Sequence, residues 1–571
     1  AALEEYETYK KARGLIDYID MEVLILKLLE NEMVQEVLKD EIDLLLVDEF
    51  QDTNPIQLKI FLKLTKIANQ SIWVGDPKQS IYGFRGAAPD LMKAVMDSTD
   101  NIDNLPNSWR SRQDLVHLCN GLFVKAFSPE MPPERIALKT AKPFVKEKES
   151  DELKLATHHW HFQFEGNRAP AKPWFEQCIA RNIAEMLSEN WKVRIKGSNE
   201  VRSIQPGDVA VLCRSNSACQ TMADALHKEG LKASISRNGL LQTAEASLIL
   251  ACLRYILNKH DALAVAEILL LAQKHNIEHI ISNRLDYLEK IKADPDCKER
   301  WGSDDPYIQQ LRTLRHKSKE LSATEILNGV LETLDVRRTV AAWSNEQQRL
   351  DNIDALRKLA LDYEETCNRL NSAATLGGFL LWMDELASEG LDEQGKGAGA
   401  NAVNVLTYHK SKGLEWPFVV CHGLPNELRE SLWGIRIVRQ TPTIDIEHPL
   451  ANRLLCYWIN PYSDQIKGTK LMEVVEGHEA KALSQKEALA EEARLLYVGL
   501  TRARDYLVFP TMPKKPTKWL NRVFHDGDEK IPSLDINQEN LFWIWEEEEI
   551  PVQTQGLNSE THMTTTEVPF E

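Results

Sequence analysis

Several stretches of the chain are apolar almost without interruption, and they organise everything between them. In IDLLLVDEF (42–50), Ile42, Leu44, Leu45, Leu46 and Val47 form a run bounded by charge. SIWVGD (71–76) and VAVLCRS (209–215) read the same way. Unbroken runs of this length predict strands of a parallel sheet, buried on both faces. Between the first two, Ile56 to Ile67 carries apolar residues at helical spacing, so the segment predicts a βαβ unit. Carboxylates at the ends of its strands would lie at the C-terminal edge of the sheet, where ligands usually bind.

The texture changes along the chain. Thr8 to Lys39 reads as two helices; Pro106 to about Leu257 alternates strand and helix patterns; 258–392 is nearly all helical (DALAVAEILLLA, SATEILNGVLETL, NEQQRLDNIDALRKLALDYEETCNRL). That shift predicts an inserted helical domain. EGLDEQGKGAGA (389–400) has linker composition. VNVLTYH and FVVCHGL then restore the strand pattern, and ALAEEARLLYVGLTRARDYLVF reads as a helix running into a last strand. The tail beyond Thr511 mixes PKKPTKW, an aromatic LFWIW and acid, and no internal repeat is visible.

Composition narrows the picture only in places. A chain of 571 residues exceeds one core and suggests roughly three or four domains of ~150 residues. No window approaches the ~20 apolar residues of a membrane span. The net charge of −18 argues against a surface that coats nucleic acid throughout, while leaving room for a local basic groove. Nine scattered cysteines without a C-x-x-C pair suggest neither zinc nor a disulfide framework, and a reducing cytoplasm fits. The N-terminus shows no signal or transit pattern and no initiating Met, which suggests an excised piece.

The chemistry concentrates after the strands. Asp48 and Glu49 end the first one in VDEFQDTNPIQ. Two acids there either begin a helix as a solvated pair or, as in nucleotide hydrolases, serve magnesium and the attacking water. About 25 residues later, after the second strand, comes GDPKQSIYGFRGA. Gln79 could touch a γ-phosphate, Tyr82 and Phe84, two apart, could form a stacking platform for bases, and Arg85 could reach a phosphate.

VDEFQDT and VGDPKQSIYGFRGA resemble motifs II and III of superfamily 1 DNA helicases of the UvrD/Rep/PcrA and RecB/AddA type. LPNSWRS (105–111) is similar to motif IV, VNVLTYHKSKGLEWPFVV (403–420) to motif V and EEARLLYVGLTRARDYL (491–507) to motif VI. The resemblance implies an α/β fold of RecA-like, P-loop NTPase-type parallel-sheet domains, with ATP and Mg2+ bound between them. It makes Arg110 a γ-phosphate contact, Glu415 a nucleotide contact, Thr407 and His409 DNA-facing residues, and Arg502 the arginine finger, the TRA triplet favouring it over Arg504. Taken singly, each has an ordinary explanation: a surface ion pair for Arg110, a satisfied strand-end histidine for His409, a helix C-cap for Arg502.

The departures are as informative. No GxxxxGK[ST] phosphate loop is present, and the only Gly-Lys pair, Gly395-Lys396, lies in the linker. GLIDYIDM (14–21) resembles a segment just before motif II, so the loop is expected upstream of Ala1. The acid-and-lysine nuclease site of RecB/AddA relatives has no counterpart after Thr511. THHWHF (157–162) alternates like an ordinary strand, and PKKPTKW (513–519) reads as a solvated loop.

The expected organisation is part of a first RecA-like domain (1–104), a second RecA-like domain in two segments (105–258 and 401–525), a helical insertion with its linker (259–400) and a tail (526–571). The family implies an ATP-dependent 3′→5′ helicase or translocase in DNA repair or recombination, acting on single-stranded DNA and duplex junctions. It also makes another polypeptide of a helicase-nuclease complex a candidate partner. A non-hydrolysing DNA-binding scaffold is the competing class.

Overall fold

The computed structural model describes residues 2–83, 89–99, 101–128, 130–164, 170–235, 239–272, 275–294, 300–343, 346–369, 372–389, 392, 401–424, 434–441, 444–458, 468–511 and 542–557. Phe84, Arg85, PKKPTKW and all of the expected linker except Glu389 and Asp392 lie outside the described residues.

The N-terminal segment forms three helices rather than the expected two: Ala2–Arg13, Tyr18–Leu28 and Glu32–Glu41. Gly14, at φ +64°, turns the chain after the first, and a reciprocal capping box between Asp17 and Asp20 starts the second. Asn31 caps the third through Met33 N, inside what apolar spacing alone reads as a continuous run.

Next, Leu44–Val47 pairs in parallel with Gln70–Trp73, joined by the helix Pro55–Ile67, whose start is fixed by Asn54 and Gln57. The βαβ unit is therefore present as expected. Burial on both faces is not: Leu44, Leu46, Ile72 and Val74 are exposed. Val47, Phe50, Leu58, Leu91 and Met92 form a core on one face, and among the described residues no element covers the other.

The larger sheet has eight strands. In spatial order they are Phe542–Trp545, Glu548–Leu557, Thr157–Phe162, Ala503–Thr511, Trp416–Cys421, Val209–Cys213, Val403–Thr407 and Ala233–Ile235. Seven run parallel; only the Phe542–Trp545 edge is antiparallel. Val209–Cys213 and Trp416–Cys421 are buried throughout, as unbroken apolar runs require when helices cover both faces. Separate cores fill the two sides, one around Leu122, Phe123 and Tyr497, the other around Trp160, Ile179 and Tyr506.

Thr157–Phe162 is an ordinary buried strand, its His159 and His161 rings meeting the Thr511 hydroxyl of the neighbouring strand. The segment expected to be a tail also contributes: Glu548–Leu557 extends the sheet beside Thr157–Phe162. Its Pro551 and Gly556 break the apolar pattern that would have marked it.

Helices from Ala244–Leu257 to Leu376–Glu389 share one core running from Leu240 to Met383. Its two ends are tied together. Asp392 accepts from the amides of Gly239 (3.2 Å) and Leu241 (3.0 Å), and its own carbonyl accepts from Leu240 N (3.0 Å).

Candidate nucleotide and nucleic-acid site

The sharp turn after Val47 sets Asp48 and Glu49. Glu49 has φ +51° and ψ 37°, a left-handed conformation uncommon for a residue with a Cβ. Its amide donates to Asp48 Oδ1 (2.8 Å), its carbonyl accepts from Asp52 N (2.9 Å), and Phe50 N donates to Val74 O (3.1 Å), which pins the turn to the second strand. Both carboxylates are exposed, and Glu49 also accepts from the Gln51 amide.

Gln51 joins this turn to the next. Its Oε1 accepts from Asp76 N (2.9 Å), and Gly75 permits that approach, since a Cβ there would stand 2.8 Å from Gln51 Oε1. Asp76 then organises the PKQ turn: it accepts from Lys78 N (3.0 Å), pairs with the buried Lys78 ammonium (2.9 Å) and accepts from Gln79 Nε2 (3.0 Å). The strand edge thus presents Asp48, Glu49, Asp76 and Gln79 together.

The larger sheet faces this edge with cations. Arg502 follows the helix Glu479–Leu500 and is 2% exposed. Its guanidinium donates to Val498 O (2.8 Å), Leu414 O (3.2 Å) and Thr501 Oγ1 (3.0 Å), and among the described residues it pairs with no carboxylate. Burial, then the neighbouring Arg110 charge, pull its pKa down to about 10, while Asp76 across the cleft acts the other way. A buried guanidinium beside a second guanidinium is a site short of negative charge.

Arg110 donates to Glu415 Oε2 (2.8 Å) and to Thr501 O (3.0 Å). Lys196, on the turn between Lys192–Arg194 and Val201–Ser203, pairs with the other Glu415 oxygen (3.1 Å). Burial opposes ionisation of Glu415, but its bonds to Lys196 and Arg110 prevail and hold its carboxyl below the ordinary range. Trp109 stands beside them, 69% exposed, over a small cavity shared with Phe144, Lys196 and Glu415.

Arg504 points elsewhere. It donates to Arg194 O and sits 3.6 Å from the fully buried Asp505, which pairs with Arg194. Of the two arginines, Arg502 is the one beside Arg110, and Arg504 is engaged with Arg194 and Asp505.

At the end of Val403–Thr407, Thr407 is largely buried, and its hydroxyl accepts from Lys410 N (3.4 Å). The His409 carbonyl accepts from Tyr82 Oη (3.4 Å), which ties the two candidate DNA segments to each other. Tyr82 is half-buried. Lys412, absent from the sequence-derived set, reaches from the same turn to Asp52, Glu49, Gln79 and Tyr82. Gln51, Asp76, Lys78, Trp109 and Lys196 were also missed. Motif strings carried all of these but Lys196, and nothing in spacing alone assigns a partner to a lysine in HKSKG.

The residues suit Mg2+ only in part. Asp48 and Glu49 offer two carboxylates, and among the described residues no three His, Cys, Asp or Glu side chains converge. That fits an ion that keeps waters and takes its other ligands from phosphate, as Mg2+ commonly does.

Comparison with known proteins agrees with this geometry. Residues 1–100 match the UvrD/REP helicase N-terminal domain and residues 104–513 the UvrD-like helicase C-terminal domain. Proteins named as subunits of an ATP-dependent helicase/nuclease are similar: that of Listeria welshimeri is 26% identical, over 94% of this chain and 45% of its own length. That of Carboxydothermus hydrogenoformans is 24% identical over 91% and 45%, and that of Bacillus pumilus 26% over 91% and 44%. The chain thus spans under half the length of these relatives. With acids and a glutamine on one edge, two arginines on the other, and a domain match over residues 104–513, this chain belongs to the UvrD-like helicase family.

Proposed function

We propose that these residues form part of an ATP-driven motor that moves along single-stranded DNA with 3′→5′ polarity and acts at duplex junctions in repair or recombination. The observation that carries this reading is the buried Arg502 beside Arg110, with no carboxylate paired to it among the described residues and with Asp76, which holds Gln79, across the cleft. A γ-phosphate supplies the missing negative charge, and an arginine so placed is worth about 10³–10⁵ in rate.

Glu49 holds and orients the attacking water, and Gln79 contacts the γ-phosphate. Arg110 and Arg502 stabilise charge as it develops on the transferred group. Asp48 and Glu49 would hold Mg2+, whose contribution is to neutralise phosphate charge. Glu415, held by Arg110 and Lys196, helps bind the nucleotide, and the exposed Trp109 offers a surface for a base. Closure of the cleft shifts the strand past Tyr82, Phe84 and Arg85, with Thr407 and His409 on the opposite wall.

The chain contains no GxxxxGK[ST] loop. The amides and lysine with which such a loop cradles phosphates are therefore not supplied by these residues, and this segment alone has negligible ATPase activity while retaining weak single-strand binding. That the relatives are named as subunits supports a second helicase-nuclease polypeptide as partner. The absent loop also favours a second reading, a DNA-binding scaffold without hydrolysis.

The deciding experiment is DNA-stimulated ATP hydrolysis by the full-length protein, with and without Glu49→Gln. Strong stimulation that the substitution reduces by 100-fold or more supports the motor. No hydrolysis by the intact protein gives the scaffold.

A further inference from the structure

The helical unit carries a groove of about 590 Å³ that takes no part in the site described above. It opens where the helix Ala244–Leu257 ends, beside the last turn of Pro306–Lys317 and the starts of Ala323–Thr333 and Leu376–Glu389. Ile256, Ile326 and Leu376 form a buried apolar floor. Leu257 stands 51% exposed above it, its methyl carbons 3.8 Å from where a Cβ on Gly377 would lie.

The rim is cationic. Arg315, His316 and Lys319 line it, and Arg315 donates to Ile256 O (2.9 Å) at the end of the first helix. Arg312 lies one turn before Arg315 on the same helix and is exposed. The Arg300 charge, then burial, then Arg315 and Arg312 lower the pKa of Lys259. Burial raises that of Tyr255, against the same three guanidiniums. Lys259, Arg300, Arg312, Arg315 and Lys319 therefore bring positive charge to one end of the helical unit, and among the described residues none of them pairs with a carboxylate. In a chain of net charge −18 that concentration is a local reversal of sign.

A ligand that suits this groove combines negative charge with an apolar group. Nucleic acid supplies only the charge: its phosphates would answer the cations, but bases dock by stacking, and no Phe, Tyr or Trp lines the groove. A small inorganic anion would leave the floor and Leu257 in contact with water. An acidic peptide bearing an aliphatic or phenyl side chain fits both parts, with an apolar anchor at the centre and charge at the rim.

We propose that this end of the helical unit is a docking groove for an acidic peptide segment of a partner protein, its apolar side chain seated over Leu257 and Leu376 and its carboxylates against Arg312, Arg315 and Lys319. The groove lies apart from the cleft between the sheets, and the proposal does not depend on the motor reading.

The test is fluorescence anisotropy with the full-length protein at low salt. One labelled probe is a short peptide of Asp and Glu carrying one Leu and one Phe; a second has Ser at both apolar positions; a third is a blunt DNA duplex. The first peptide should bind saturably, and the Ser peptide about 10-fold more weakly or worse, because its anchor is gone. Leu257→Ser should weaken the first peptide by a similar factor, and Arg312→Glu with Lys319→Glu should abolish its binding. All three positions are exposed, so thermal melting should be unchanged. Absence of saturable peptide binding, or equal binding of the two peptides by the wild-type protein, overturns the proposal whether or not a variant folds. Loss of duplex binding in the charge-reversed variant, with a peptide that does not compete for the duplex, overturns it in favour of a nucleic-acid surface.

Discussion

Asp505 provides a severe test of how the edge that carries Arg110 and Arg502 is held. It is fully buried in the strand Ala503–Thr511, and Arg194, which it pairs with, is 2% exposed. The carboxylate also accepts from Arg194 N (3.0 Å), with Arg504 Nη2 at 3.6 Å. Arg194 Nη2 donates to the carbonyls of Arg110 (3.1 Å) and Arg504 (2.9 Å). Asp505→Asn leaves one oxygen for one N–H and a guanidinium without its counter-charge. Losing one partner of a buried pair costs about 3–5 kcal/mol, and the retained oxygen places this case near 3. At about 2–4 °C per kcal/mol for a unit of 150–250 residues, the melting temperature of the sheet unit should fall by about 6–12 °C. Differential scanning calorimetry would register it, with the transition of the helical unit unmoved. Removing both charges, as in Arg194→Met with Asp505→Leu, eliminates the orphan cation and should recover at least half the loss. A shift under 2 °C for Asp505→Asn, or a double variant as unstable as the single one, would refute the reasoning.

Arg502→Lys keeps a cation but shortens it and loses the fork that reaches Val498 O, Leu414 O and outward at once; DNA-stimulated kcat of the full-length protein should fall by about 10³ or more, with KM for ATP changed far less. His158 supplies a pH prediction. Burial, aided by Lys154 and Arg112 and opposed by the Leu155 carbonyl, lowers its pKa to about 4. The unfolded chain, at about 6.5, binds the proton more readily, so stability is complete above about pH 6.5 and declines as pH falls toward 4. Chemical denaturation from pH 7 to 4.5 should show that decline, and His158→Phe, packed against Trp191 in the same place, should lessen it.

Strands were legible in the sequence wherever apolar runs were unbroken, because a residue such as Val211 has the same environment on either face of a sheet covered by helices. The same rule misjudged Leu44 and Leu46, whose run is equally apolar but whose second face has no cover among the described residues. Glu548–Leu557 escaped notice for the opposite reason: a strand recruited to an existing sheet by its backbone needs little apolar pattern of its own. Of the site, Asp48, Glu49, Gln79, Arg110 and Arg502 could be named because long motif strings carry them, and the structure brings them to one cleft. Lys412 could not. Its meaning resides in Asp52, 360 positions away in sequence, and pairing across such a separation leaves no local periodicity to read.

The strands Ala233–Ile235 and Val403–Thr407 are adjacent and parallel, yet the whole helical unit is threaded between them. In topological terms that unit occupies the place of a single crossover helix. The sheet therefore cannot pair these two strands until a connection of more than 160 residues has been drawn in. Loop closure alone grows only slowly with length, by about 0.6 kcal/mol per doubling. A helical unit with its own core, clasped at its neck by Asp392, presents the folding chain with two ends already side by side. Such an order of assembly, helices before this parallel pairing, converts a contact distant in sequence into a short one.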